Sequence, residues 1–136
     1  MRAKVKAVVA KIGLDGHYRG VKFVTRSLTD AGVEAVYLGA NQTEDDIVNA
    51  VVQEDADLVA LSFLSPDYRY HVPALIRRLQ AIGAGDVVVI VGGLVADDDV
   101  DGLLKVGVRR IFGPATVAAD IREFLDEAFP ADSKEA

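Results

Sequence analysis

An α/β fold built on a parallel sheet is what this 136-residue sequence predicts, and three observations predict it. Five short apolar runs alternate with five amphipathic stretches along the chain. Most of the runs are continuously apolar, LVALSF and VVVIV among them, as strands covered on both faces are. Strict alternation of strand and helix requires crossover connections, which are right-handed and leave the strands parallel.

The first strand is expected at Val5–Ala10 and the first helix at Arg19–Ala31, where Val21, Val24, Leu28 and Ala31 keep helical spacing and Gly32 supplies the stop. The second strand follows at Val33–Leu38. Thr43 with Asp46 three residues later resembles a capping box, so the second helix is expected at Thr43–Glu54, with Glu44, Asp45 and Asp46 suiting its positive start. Ile47, Val48, Val51 and Val52 form its inward stripe. The third strand and helix are expected at Leu58–Phe63 and Tyr70–Ile82, the fourth at Val87–Val91 and Asp97–Val106, and the fifth at Arg110–Phe112 and Thr116–Ala128. Val117, Ile121, Phe124, Leu125 and Ala128 turn the last helix inward. One domain over residues 1–130 follows, with an acidic tail, Ala131–Ala136, expected to fray. Five strands in this rhythm suggest the flavodoxin-like (Rossmann-like) order 2-1-3-4-5, with helices on both faces. Such a sheet takes ligands beyond the carboxyl ends of its strands, beside the switch point between strands 1 and 3.

Composition narrows the function. A net charge of −6 argues against nucleic acid as a partner. With no cysteine, disulfides, thiolate nucleophiles and cysteine-based zinc sites are excluded. No signal-like stretch opens the sequence and no apolar run approaches the ~20 residues of a membrane span, so a cytoplasmic protein without membrane contact is expected. Without a secretory signal, the sequon Asn41-Gln42-Thr43 is a chance match.

The fold rule brings four loops to one edge: Lys11–Gly20, Ser62–Tyr68, Gly92–Val95 and Gly113–Thr116. In the first, Asp15 precedes His17 by two residues, close enough to accept a hydrogen bond from one ring nitrogen and leave the other as a metal ligand or base. Lys11 at the strand end can pair with Asp15, completing a Lys–Asp–His relay. Gly13, Gly16 and Gly20 let the backbone turn and approach a bulky group. The same residues also suit a plain glycine-rich turn closed by an Asx-type hydrogen bond. Gly92-Gly93 removes side chains at a strand end, either for a large ligand or as an ordinary turn. Ser62-Phe63-Leu64 offers a hydroxyl and, alone, little more.

Other candidates point elsewhere. Asp97-Asp98-Asp99 opens a helix, where dipole complementarity explains it better than a metal cluster, and His71 fits a helix start better than a ligand. Neither the dinucleotide fingerprint nor the Walker loop is present. A phosphoreceiver domain shares this strand order but needs an acidic pair after strand 1 and an aspartate after strand 3. Asp15 has no acidic neighbour and strand 3 runs into Ser62-Phe63-Leu64-Ser65.

Taken together, three motifs carry a resemblance. Asp15-Gly16-His17-Tyr18-Arg19-Gly20 contains D-x-H-x-x-G, the signature of cobalamin-binding domains on this fold; Ser62-Phe63-Leu64 and Gly92-Gly93 stand where their S-x-L and G-G companions do. AKIGLDGHYRG, YLGANQT, QEDAD and GVRRIFGP resemble the vitamin B12 domain of adenosylcobalamin-dependent acyl-CoA mutases, the methylmalonyl-CoA mutase group, from about Val5 to Leu125. Tyr18 replaces a common aspartate, Asn41 a common histidine, and SPDYRYH a stretch of small residues ending in a glycine-histidine pair.

The resemblance implies a role for each residue. His17 becomes the lower cobalt ligand in a base-off, His-on state, with Asp15 and Lys11 behind it and Gly16, Arg19 and Gly20 completing the motif. Ser62 and Leu64 line the slot for the displaced nucleotide tail, Gly92 and Gly93 leave it room, and Gly113 and Thr116 are further tail contacts from position alone. No residue of this chain is assigned to catalysis itself. The implied activity is carbon-skeleton isomerisation through an adenosyl radical, with this chain as the small subunit and the acyl-CoA bound by a large barrel subunit. Methylmalonyl-, isobutyryl- and hydroxyisobutyryl-CoA all fit, since the substrate pocket belongs to the partner. A non-enzymatic cobalamin carrier or sensor is the alternative.

Overall fold

The computed structural model of the chain describes residues 1–12 and 18–131. Asp15, Gly16 and His17 therefore lie outside the described residues, as does the tail from 132 onward. Ten elements alternate: β1 (Lys6–Ala10), α1 (Arg19–Asp30), β2 (Glu34–Tyr37), α2 (Glu44–Glu54), β3 (Leu58–Phe63), α3 (Tyr68–Ala81), β4 (Val88–Gly93), α4 (Asp97–Val106), β5 (Val108–Phe112) and α5 (Ala118–Ala128). The strands form one sheet in the order β2-β1-β3-β4-β5, all pairs parallel, which is the expected flavodoxin-like order.

Side chains alternate across each strand, and the core divides accordingly. Val8, Ala10, Val59, Leu61, Val89 and Val91 face one way and meet Ile47 of α2, Leu75 of α3 and Leu103 of α4. Ala7, Val9, Leu58, Ala60, Val88 and Ile90 face the other and meet Leu28 of α1 and Phe124 of α5. Burial on both sides is why the strands read as unbroken apolar runs rather than as alternating ones.

β3 and α4 have the expected limits; β1, α1, β2 and α2 differ by one residue at one or both ends, and α3, β4, β5 and α5 depart by two for local reasons. α3 begins at Tyr68 rather than Tyr70, because the Tyr70 and His71 N–H groups both donate to Asp67 O. β4 runs two residues beyond Val91, because Gly92 and Gly93 pair with Ser62 and Phe63 through main chain alone. β5 starts at Val108 rather than Arg110, since Gly107, at φ 121°, turns the chain straight out of α4 and lets Val108 pair with Val89. α5 begins at Ala118 rather than Thr116, because the Asp120 carboxylate accepts the Val117 N–H at 2.9 Å. The capping box of α2 is present as expected: Thr43 Oγ1 accepts from the Asp46 N–H at 3.1 Å and Asp46 accepts from the Thr43 N–H at 2.9 Å.

Candidate functional site

Strand alternation decides which residues share the carboxyl edge. Leu58 and Ala60 of β3 pack on the α1/α5 face, so Ser62, two residues on, belongs to the same face. Val88 and Ile90 of β4 likewise carry Gly92 there, and Ser62 and Gly92 are register partners. The first turn of α1 closes a third side: a Cβ on Gly20 would stand 3.7 Å from Ser62 Oγ. A Cβ on Gly92 would meet only carbonyl oxygens, Phe112 O at 3.6 Å and Leu61 O at 4.0 Å. Residues far apart in sequence thus form one notch, to which the described residues contribute two glycines and a hydroxyl.

Gly93 is different. Its φ is 109°, and a Cβ there would fall 2.0 Å from Phe63 O, so the main chain of β3 occupies the space a side chain would need. The close approach lets Leu94 N–H donate to Phe63 O at 3.0 Å, one step past the ladder. Beyond the notch the edge is apolar and open, with Leu64 38%, Leu94 55% and Val117 56% exposed. A cavity of about 460 Å³ lies between the β4–α4 and β5–α5 connections, lined by Leu94, Val95, Ile111 and Pro114.

Lys11 follows β1 and is completely buried. Its peptide is held on both sides, its N–H donating to Gly39 O at 3.3 Å and its carbonyl accepting from Gln42 N–H at 3.0 Å. Gln42 Nε2 donates to Leu38 O and Ala40 O, stiffening the loop after β2 against the exit of β1. Arg19 and Gly20 open α1, both exposed. Gly113 has open space around it, and Thr116 closes a turn by donating from Oγ1 to Gly113 O at 2.7 Å. The described residues bring Gly20, Ser62 and Gly92 together, put Leu64 and Gly93 beside them, and set Gly113 and Thr116 in the connection between β5 and α5.

Two contacts were not foreseen in the sequence. The hydroxyl of Tyr68, a buried residue in the first turn of α3, donates to Asp99 Oδ2 at 2.5 Å and accepts from Ala96 N–H at 3.0 Å. Arg69 Nε donates to the same carboxylate at 2.7 Å. The Tyr68 hydrogen bond, then that of Arg69, hold the Asp99 carboxyl below its ordinary pKa. His71, at the start of α3 as expected, pairs through Nδ1 with Glu44 Oε1 at 2.5 Å. A buried tyrosine opening a helix is the signal for the first contact: its ring joins the core, and its hydroxyl then requires a partner.

Residues 5–122 match the B12 binding domain family model. This chain belongs to the B12-binding domain family. Its relatives include the 2-hydroxyisobutanoyl-CoA mutase small subunit of Aquincola tertiaricarbonis, 42% identical over 107 residues and 79% of each chain. The pivalyl-CoA mutase small subunit of Xanthobacter autotrophicus is 40% identical over 88% of this chain and 80% of its own. Methylmalonyl-CoA mutase of Rhizobium meliloti is 34% identical over 90% of this chain but only 17% of its own. Among solved structures, a cobalamin-binding protein from Desulfitobacterium hafniense aligns with a TM-score of 0.77 at 25% identity, over 91% of this chain and 58% of that one. A response-regulator receiver domain from Mycobacterium tuberculosis reaches 0.69 at 17% identity over 94% of this chain and 98% of its own, a likeness of fold.

The edge of this B12-binding domain fits a corrinoid on its own geometry. Two Cβ positions stand empty beside one hydroxyl, leaving a gap for an inserted group, and the apolar rim beyond suits a broad macrocycle. No helix among the described residues is long and apolar enough to cross a membrane.

Proposed function

We propose that this chain is the cobalamin-binding small subunit of an adenosylcobalamin-dependent acyl-CoA mutase. The observation that carries the reading is the convergence of Gly20, Ser62 and Gly92 on one face at one edge, from three separate motifs. Membership of the B12-binding family and similarity to two mutase small subunits over four-fifths of their lengths support the mutase class.

Bound adenosylcobalamin supplies the radical chemistry of carbon-skeleton isomerisation; the chain supplies placement and electronic tuning. His17 would hold the cobalt through its imidazole, and Asp15 would orient that ring. Lys11, buried at the exit of β1, keeps Asp15 ionised, so that the imidazole donates its lone pair more strongly. Ser62 and Leu64 line the slot for the nucleotide tail of the base-off cofactor, and Gly20, Gly92 and Gly93 keep side chains out of it. Gly113 and Thr116 border it from the connection between β5 and α5. The exposed rim of Leu64, Leu94 and Val117 is covered by the cofactor and by a large catalytic subunit, which binds the acyl-CoA. A cytoplasmic location accords with this role.

Electron paramagnetic resonance of bound cob(II)alamin, with histidine labelled in ¹⁵N, tests the ligand. The nitrogen splitting is expected to change with the label and to disappear in His17→Ala. Binding without histidine coordination, in the presence of a mutase large subunit, overturns the assignment. A carrier or sensor would instead bind cobalamin and form no complex with any mutase large subunit.

A further inference from the structure

Tyr68 is a buried tyrosine whose hydroxyl makes two hydrogen bonds on a neighbouring connection. Its ring packs edge-on against Phe63, with centroids 6.1 Å apart, anchoring it to the last residue of β3. Its hydroxyl reaches across to Ala96, the residue capping α4, and to Asp99 in the first turn of that helix. Ala96 has no side chain with which to cap α4, so one of the helix's otherwise unpaired donors nearby is satisfied by a side chain from another helix. Arg69 adds a second bond to Asp99, and the first turns of α3 and α4 are tied together.

The tie has a direction. Tyr68 and Phe63 belong to the α2–α4 face, whereas Ser62 and Gly92 belong to the α1/α5 face. Between Gly93 and Ala96 the chain is held by the Leu94 N–H bond to Phe63 O and by Val95, which packs against the α2–α4 core, and then by the tyrosine hydroxyl on the Ala96 N–H. With Val95, that hydroxyl ties the segment to the α3 side, off the face that carries the notch. Among the described residues the notch has hydrogens at Gly20 and Gly92 and a small hydroxyl at Ser62, which offer little resistance to a segment leaning across it.

We propose that Tyr68 and Asp99 form a latch that holds the Leu94–Ala96 connection back and keeps the tail slot open. The inference rests on the cofactor reading above and assigns positioning residues for it. Tyr68→Phe keeps the ring and removes both hydroxyl bonds, while Asp99→Asn keeps an acceptor and removes its charge.

The experiment compares two corrinoids on the full chain: cobalamin, which carries the nucleotide tail, and cobinamide, which lacks it. Binding is read by calorimetry and thermal midpoints are recorded alongside. Tyr68→Phe is expected to weaken cobalamin binding about 10-fold, roughly the loss of one to two hydrogen bonds, and to leave cobinamide binding unchanged within about 2-fold. Asp99→Asn, at a partly exposed position, should show the same selectivity at smaller size. Equal losses for the two corrinoids, or no loss in either, overturn the latch. Failure of the native chain to bind cobalamin, alone or with a mutase large subunit, overturns the cofactor reading and the latch with it.

Discussion

Gly92 and Gly93 are neighbours in the chain, yet adding a methyl group to each should damage different properties. At Gly93 the φ of 109° lies where an alanine is strained, at a cost of ~1–3 kcal/mol. The new Cβ would also sit 2.0 Å from Phe63 O, well inside contact distance, so β4 must move away from β3. That movement sacrifices the Leu94 N–H bond to Phe63 O and weakens the final Phe63–Gly93 pairing, at ~1 kcal/mol for each bond lost. The total is ~3–5 kcal/mol, which for a domain of this size lowers the thermal midpoint by ~10–20 °C. At Gly92 the added Cβ meets Phe112 O at 3.6 Å, an ordinary contact, and the midpoint should stay within ~3 °C of native. Gly92→Ala instead puts a methyl into the notch beside Ser62, and cobalamin affinity should fall by ~10-fold or more. Circular dichroism melts and cobalamin titrations of the two variants read the contrast directly. Equal destabilisation of both variants, or an unchanged midpoint in Gly93→Ala, would refute the assignment of one glycine to the backbone and the other to the site.

Thr43→Ala removes one half of the α2 capping box and should cost ~1 kcal/mol in a urea denaturation series while leaving corrinoid affinity unchanged. Asp99 gives an acid signature. Its carboxyl is held below the ordinary value by Tyr68 and then Arg69, so its contribution to stability is complete above the unfolded carboxylate pKa of ~3.9 and is lost as pH falls through the lower folded value. Urea midpoints followed from pH 7 to pH 3 should therefore fall less steeply in Asp99→Asn than in the native chain; parallel curves count against this. Lys11→Met should leave the fold intact, since the alkyl stem is already buried, but alter the cobalt spectrum of the bound cofactor in the same sense as Asp15→Asn. Identical spectra in all three proteins would remove Lys11 from the relay.

Much of the fold was legible because the signals were redundant. β3 was readable from LVALSF, which is apolar along its length because both of its faces are covered, and α4 from an acidic first turn that suits a helix start. The notch was legible for a topological reason. Once the strand order is known, Ser62 and Gly92 must lie at adjacent strand ends, and parity along the strands puts both on one face. What escaped depends on pairings between elements. The glycine pair was read as a loop because glycine disfavours strands, whereas the ladder to Ser62 and Phe63 is made by main chain that carries no side-chain signal. Asp99 was read as one of three acids serving a helix dipole, and nothing local distinguishes it from Asp97 or Asp98; its partner lies 31 residues away. The Glu44–His71 pair escaped in the same way, each residue having an adequate local reading as part of a helix start.

Backbone shape alone would not have separated this chain from a receiver domain, since both share the strand order and the overall path. The difference lies in what the strand ends present. Receiver chemistry needs carboxylates after β1 and β3 to hold a divalent cation and accept a phosphoryl group. Here β3 ends in Ser62 and Phe63, its neighbour β4 ends in two glycines, and the described residues hold no acidic cluster suited to a metal ion. Two glycines and a hydroxyl, the groups the described residues place in the notch, supply no charge to offset the desolvation of a small divalent cation, but they leave room for the edge of a large ligand that brings its own hydrogen-bonding groups. Replacing Gly92 and Ser62 with bulkier residues would therefore remove the ligand and leave the fold, while no substitution confined to those positions would install receiver chemistry.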